Sequence, residues 1–316
     1  VFAGLLMAVG LVGLALQDRR AALKLLWIPV ALGVLAVIAL SGPLHDPPSG
    51  TTLLYEDETA YNLVQVVEDD EGYRYLLLNE GQGVHSQWHP TEIFYRRTWG
   101  FFLTAPYFNA PPFSPERVER IAVVGLAAGT ISRQYDAVYP GIEMDGIEID
   151  PGIVEAGRQY MGMTQPGLNV IVADGRFGLN QLDETYTMIG IDAYRVPYVP
   201  WHLTTVEFFE EVRDRLASDG VLTINVGRTS SDRRLVDAMA RTLLDVFPSV
   251  HTMDVPDSYN TILVATRQPT SAQNLAANLA ALPADAHTPA TAGLIAASRR
   301  ISIWERRPPS RPCADR

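Results

Sequence analysis

The sequence predicts an α/β fold, a doubly wound and mostly parallel sheet with helices on both faces. Three observations predict it. Residues 121–150, IAVVGLAAGTISRQYDAVYPGIEMDGIEID, read as strand, glycine turn, helix, strand. The alternation of strands and helices then continues to residue 226, as a parallel sheet requires. Three successive strands end in acidic residues, Glu148, Asp174 and Asp192. Carboxyl ends of strands line the ligand crevice in open α/β sheets.

The first strand, 121–124, is a β-branched apolar run suited to a buried parallel strand. Gly125, Ala127 and Gly129 follow as G-x-A-x-G. Small residues there let the turn close and let a ligand approach the backbone. The next helix points its N-terminal N–H groups at that ligand. The second strand, 144–149, carries Glu148 and leads to Asp150, where nucleotide-binding folds hold ribose hydroxyls. A third strand, 170–172, ends in Ala173-Asp174-Gly175, and a fourth, 188–191, ends in Asp192. Pro151 suits the first turn of a helix over 151–160. Helices are expected over 204–217 and 231–246, the latter with Leu235, Met239, Leu243 and Leu244 on one face. Gly220 reads as the αL end of the first of these. A strand at 221–226 follows it, and strands 250–255 and 261–265 close the sheet antiparallel.

Upstream, residues 51–109 read as β, with strands 61–67 and 73–78 joined by the acidic turn 68–72. Residues 99–108 are aromatic and read as core. The prolines of APPFSPERVE mark a boundary near 110. Before all of this, residues 1–16 and 25–41 are apolar and uncharged, with QDRRAALK between them. They read as a transmembrane helical hairpin near the lower length limit for spanning. Arg19, Arg20 and Lys24 favour a cytoplasmic loop, whereas a domain that uses a nucleotide cofactor belongs in the cytoplasm. The expected localisation is a multi-pass membrane protein with a cytoplasmic soluble domain. The expected division is 1–42 transmembrane helices, 43–50 linker, 51–110 small β domain, 111–268 nucleoside-binding catalytic domain, and 269–316 a helix followed by a disordered tail.

Net charge is −11 over 316 residues. That argues against a nucleic-acid surface, which needs a basic patch, and is compatible with a cationic substrate. The single cysteine, Cys313, excludes an intrachain disulfide and a cysteine metal cluster.

The segments GIEIDPGIVEAGRQYM, VIVADGRFGLNQ, IDAYRVPYVPWHLTTVEFFEEVRDRLASDGVLTINV and ETAYNLVQVVEDDEGYRYLLLNEG resemble the spermidine synthase (polyamine aminopropyltransferase) family, and within it a membrane-fused bacterial branch. The resemblance covers roughly residues 54–267. It implies the Rossmann-like fold of S-adenosylmethionine-dependent methyltransferases. It implies transfer of an aminopropyl group from decarboxylated S-adenosylmethionine to a putrescine-like amine, without a metal. Gly125, Ala127, Gly129, Glu148, Asp150, Asp174 and Gly175 would then hold the nucleoside, with Glu148 on the ribose and Asp174 on the adenine amino group. Asp192 and Tyr194 would be catalytic. Tyr61, Asn62, Gln82 and Arg195 would face the amine substrate. The sequence departs from the family twice. The usual Tyr-His-Glu segment, expected near residues 94–100, is absent. The second acid after the fourth strand is replaced by Arg195, a fixed cation that repels a diamine and favours an acidic group. His85 and His89 lie nearby in a loop. Two other readings stay open: a methyltransferase acting on intact S-adenosylmethionine, and a non-catalytic domain that senses S-adenosyl compounds or polyamines beside a membrane transporter. The acceptor and the oligomeric state, a homodimer included, are left open.

Overall fold

The computed structural model describes residues 2–25, 27–40, 43, 45–79, 81, 83–95, 97–194, 199–282 and 303–305. The chain forms two compact units, residues 1–49 and 50–316. The first holds α1 (Phe2–Gln17), α2 (Arg19–Leu25) and α3 (Trp27–Leu40).

The expected membrane hairpin is overturned here. The charged segment expected to be a loop folds as α2 and divides the apolar sequence into short pieces. Helix α1 has 16 residues and α3 has 14. At 1.5 Å per residue these reach about 24 and 21 Å, short of a hydrocarbon core of about 30 Å. Among the described residues no helix is long and apolar enough to cross a membrane. The multi-pass localisation falls with it, and the membrane-fused branch of the resembled family is left without support.

The second unit begins with a four-stranded antiparallel sheet, β1 (Thr51–Glu58), β2 (Leu63–Asp69), β3 (Arg74–Leu78) and β4 (Val84–Trp88), in that order. Val64, Val66, Leu76 and Leu78 are buried on its inner face. They pack against Ile153 and Ala156 of the helix that follows the second parallel strand. The β reading stops at β4. Residues Trp99–Phe102 form α4, and Ala105–Phe108 a 3-10 turn, because their aromatic side chains all turn into the core. Phe102, Tyr107 and Phe108 are fully buried there.

The large sheet contains β5 (Arg120–Val124), β6 (Glu143–Glu148), β7 (Leu168–Val172), β8 (Tyr186–Ile191), β9 (Leu216–Gly227), β10 (Ser249–Asp254), β11 (Asn260–Thr266) and β12 (Ile303–Glu305), in the order β12-β10-β11-β9-β8-β5-β6-β7. Strands β5 to β9 pair in parallel; β10, β11 and β12 add antiparallel. Helices α5 (Thr130–Val138), α6 (Pro151–Tyr160), α7 (Gly175–Asn180), α8 (Val206–Arg215) and α9 (Arg234–Leu244) lie between the strands, and α10 (Ala272–Ala281) follows them. This is a methyltransferase-like Rossmann fold. The chain runs outward from β5 through β6 to β7, then returns to β8 on the other side of β5. The crevice between β5 and β8 is therefore the topological switch point, where open α/β sheets bind ligands.

Two local expectations change. Residues 218–220 belong to β9 rather than to a helix end: α8 stops at Arg215, Leu216 already pairs with Tyr186, and 217–220 form an irregularity before pairing resumes at Val221 opposite Met188. On α9 the buried face is Val236, Met239, Ala240 and Leu243, while Leu235 is 43% exposed. The C-terminal tail from 306 lies outside the described residues.

Candidate active site

The site is built on the turn after β5. Gly125 and Gly129 have φ of 86° and 85°, and Ala127, a non-glycine, has φ 50°. Gly125 and Leu126 both donate their N–H to Ile147 O, at 2.9 and 3.0 Å, which ties the turn to β6. A Cβ on Gly125 would lie 2.6 Å from Ala193 Cα and 2.7 Å from the Asp192 carbonyl carbon. Glycine is therefore needed for a second reason besides its φ. It lets the loop after β8 close onto the turn, fixed by Asp192 N–H donating to Val124 O at 2.8 Å.

A cavity of about 890 Å³ opens beside this junction, within the size range of small-molecule sites. Gly125, Ala127, Asp192 and Tyr194 line it, together with Asn225 of β9 and His85 of β4. Of the expected site residues, Gly125, Ala127, Asp192 and Tyr194 thus meet in one place, whereas Gly129, Glu148, Asp150, Asp174 and Gly175 do not line this cavity. Among the described residues no three His, Cys, Asp or Glu side chains gather as a metal site.

The acidic residues fall into two groups. Glu148 is 7% exposed; its Oε2 accepts Ala127 N–H at 2.9 Å and its Oε1 accepts Asp150 N–H at 3.1 Å. Burial raises its pKa, opposed by those N–H groups. Asp150 is fully buried and does other work than holding a ligand. Its Oδ1 accepts Gly152 N–H as the N-cap of α6. Its Oδ2 accepts Thr59 Oγ1–H at 2.7 Å and Asn62 Nδ2–H at 2.9 Å. Asn62 is also bound to Asn79. Both were expected at a ligand, but they form a clamp between the small sheet and α6, and Tyr61 beside them is 52% exposed. A parallel link joins Thr130 Oγ1 to Gln87 N and O, at 2.9 and 3.0 Å.

Asp174 caps the short α7 through the Arg176 and Phe177 N–H groups, and its Oδ2 pairs with His202 Nε2 at 2.8 Å. Burial opposes its ionisation, but the Phe177 N–H, His202 and the Arg176 N–H outweigh it and lower its pKa. Gly175 is required for packing, since its Cβ would lie 2.5 Å from Val124 Cγ1.

Asp192 belongs to a different environment. Its Oδ1 accepts Asn225 Nδ2–H at 2.9 Å. Burial pushes its pKa up to about 7, opposed only by that hydrogen bond. Asn225 is 6% exposed, and its Oδ1 is buried without a partner, as is the Tyr194 hydroxyl, among the described residues. Burial first, and the Asp192 charge next, raise the Tyr194 pKa, so its hydroxyl stays protonated. His85 is held below its usual pKa by burial. His89, by contrast, accepts the Thr91 and Glu92 N–H groups and packs on Tyr73, a structural loop position. Gln82 and Arg195 lie outside the described residues.

Sequence reading missed Asn225 and Arg228. For Asn225 the signal was present: an amide inside VLTINV, at the carboxyl end of a predicted strand, obeys the same rule that singled out Asp192.

Set beside known proteins, this geometry finds a family. Residues 108–273 match the model of the spermine/spermidine synthase domain. A polyamine aminopropyltransferase of Vibrio vulnificus is 31% identical over 227 residues, 68% of this chain and 72% of its own length. A "probable polyamine aminopropyl transferase" of Bifidobacterium longum is 29% identical over 250 residues, 75% of this chain. The chain spans 53% of that relative's length. Among solved structures, a probable spermidine synthase from Corynebacterium glutamicum superposes with a TM-score of 0.63 at 19% identity, covering 82% of this chain and 91% of that one. The chain carries a methyltransferase-like Rossmann fold. It belongs to the spermine/spermidine synthase family.

Proposed function

We propose that this chain transfers an aminopropyl group from decarboxylated S-adenosylmethionine to an amine. The observation that carries it is the junction of the Gly125–Gly129 turn with Asp192 over one cavity, in a chain of this family. The nucleoside lies over the turn with its ribose hydroxyls on Glu148. The adenine amino group approaches Asp174 Oδ2, sharing that oxygen with His202. Residues 111–268 form the nucleoside-binding domain, and residues 51–110 close the amine side through β4 and α4.

The amine arrives as ammonium and must lose a proton before it reacts. Asp192 anchors it and takes that proton. The nitrogen lone pair then forms a bond to the propyl carbon attached to sulfur. The carbon–sulfur bond breaks with its electron pair on sulfur, so the sulfonium leaves as the neutral thioether methylthioadenosine. No strong acid is needed for that leaving group. Catalysis rests on positioning, and Asn225 Oδ1 and the Tyr194 hydroxyl supply an acceptor and a donor beside Asp192. Two anionic strand ends, Glu148 and Asp192, flank the bound sulfonium.

The test is direct. The full chain is incubated with decarboxylated S-adenosylmethionine and amines, and methylthioadenosine is followed by chromatography. Amine-dependent methylthioadenosine is the expected result. Amine-dependent S-adenosylhomocysteine from intact S-adenosylmethionine would make the chain a methyltransferase instead.

A further inference from the structure

We propose that His85 is a catalytic residue of the same cavity: its imidazole accepts one hydrogen of the acceptor amine and so turns the nitrogen lone pair toward the carbon it attacks. This rests on the transferase reading above and adds a residue to its amine side.

The strand pairing singles His85 out. The neighbours Leu76 and Leu77 of β3 pair with Ser86 and Val84 of β4, so His85 is an extra residue with no partner across the ladder. Such a bulge bends its strand and re-aims a side chain. The flanks of His85 are pinned. Val84 packs on the buried cluster that includes Phe102 and Ile131. The Ser86 hydroxyl oxygen accepts the Ala128 N–H at 3.0 Å, and the Gln87 backbone is tied to Thr130. Strand β4 is thereby held against the glycine turn, and His85 lines the cavity with Asp192 and Asn225.

The registers bring these three residues to one face of the large sheet. Side chains alternate along β8, so Asp192 shares a face with Met188 and Gly190. A Cβ on Gly190 would meet Phe102 at 3.0 Å, so this is the face that α4 covers. Met188, Phe102 of α4 and Ile131 of α5 belong to the one cluster on which Val84 packs. Asn225, bonded to Asp192, reaches the same face by alternation from Val221 of that cluster.

Neither ring nitrogen of His85 has a hydrogen-bond partner among the described residues, and burial alone acts on its pKa, downward. A neutral imidazole offers one nitrogen as acceptor and the other as donor. An imidazolium could not accept and would repel the bound sulfonium.

The chemistry needs such an acceptor. Once Asp192 has taken a proton, the amine nitrogen carries two hydrogens and a lone pair, and it can turn about its bond to carbon. Asn225 Oδ1, buried without a partner among the described residues, accepts one hydrogen. His85 accepts the other. With both hydrogens held, the lone pair has a single direction left, toward the propyl carbon. The bond changes are those given above: nitrogen–carbon forms, carbon–sulfur breaks with its electron pair on sulfur, and the proton stays on Asp192.

The experiment uses the full chain, decarboxylated S-adenosylmethionine and the best acceptor from a panel of primary amines that includes putrescine. His85→Leu should lower kcat about 10²-fold, the scale of a misplaced reacting atom, with methylthioadenosine affinity by calorimetry unchanged. His85→Gln, whose carbonyl oxygen also accepts, should recover most of that loss. A kcat for His85→Leu equal to the parent's, or equal losses in the two variants, would overturn the inference. So would a loss of methylthioadenosine affinity in either variant, which would place His85 at the nucleoside. If His85→Leu does not fold, the imidazole nitrogen resonances of the parent chain decide. Amine added to the methylthioadenosine complex should shift the His85 acceptor nitrogen, and an unmoved resonance sinks the assignment. A parent chain that releases no methylthioadenosine with any amine removes the transferase reading and this inference together. A parent that turns over as fast as His85→Leu removes the inference alone.

Discussion

The two halves of the crevice use their polar atoms differently. On the side proposed for the nucleoside, Glu148, Asp150 and Asp174 each have protein partners for their oxygens. They build the turn, the clamp and a cap. On the side proposed for the amine, Asp192 keeps one bond, and Asn225 Oδ1 and the Tyr194 hydroxyl have no partner among the described residues. An unpaired buried polar atom costs about 1–3 kcal/mol. Such a cost persists where a ligand is the missing partner. The lesson is that acidic strand ends are not equivalent: one half holds the site's shape, the other faces what enters it.

That contrast can be broken by substitution. The largest effect is expected at Asp192. Asp192→Asn should slow amine transfer by about 10²–10⁴-fold, the usual worth of a positioned proton acceptor. Methylthioadenosine affinity, measured by calorimetry, should be unchanged. Equal loss of both would place Asp192 among the nucleoside contacts.

Next in size is the clamp. Asp150→Ala removes the α6 N-cap, worth about 1 kcal/mol, and strands the Thr59 and Asn62 donors, at about 1–3 kcal/mol more. Urea denaturation should therefore show a loss of roughly 2–4 kcal/mol. A stability within 0.5 kcal/mol of the parent, about the spread of ordinary surface changes, would contradict the clamp.

Glu148→Gln should follow, weakening methylthioadenosine by about 1.5–3 kcal/mol, the range for a hydrogen bond to a charged group. The glutamine carbonyl can still accept one N–H of the turn, so folding should survive. Full affinity in a folded variant would put the ribose elsewhere.

The smallest effect concerns pH. Asp192 is neutral in both states below its ordinary pKa and ionised in both above about 7. Its burial penalty therefore grows as pH rises from about 4 to 7 and is complete above that. A shift of three units would be about 4 kcal/mol, an upper bound that water in the cavity reduces. Asp192→Asn should thus stabilise the protein by roughly 1–2 kcal/mol at pH 8 and by nothing at pH 4. Thermal unfolding at both values checks the sign. Destabilisation at pH 8 would mean that Asp192 is paired with a cation.

Much of this was legible in the sequence, for a physical reason. The turn, β5 to β8 and helix Pro151–Tyr160 are encoded locally, by glycine spacing and by apolar runs with fixed ends. The pairing of Thr59 and Asn62 with Asp150 was not, because about 90 residues separate the partners and nothing in either segment names the other. Residues 218–220 misled for a related reason: glycine after a helix signals an end, but α8 had already stopped at Arg215 and the chain is extended from Leu216. The apolar N-terminal runs were legible as helices. Their bounds were legible too, but that the charged segment between them forms helix α2 rather than a loop was not.

The central claim is that Asp192 and the glycine turn form one site for aminopropyl transfer. The most direct measurement is a titration of the full chain with decarboxylated and intact S-adenosylmethionine, each with and without amine, reading both binding and product. Tighter binding of the decarboxylated form, with methylthioadenosine released only when amine is present, is the predicted result. Tighter binding of the intact form with methyl transfer to the amine, or binding of either without product across the amine panel, would contradict it.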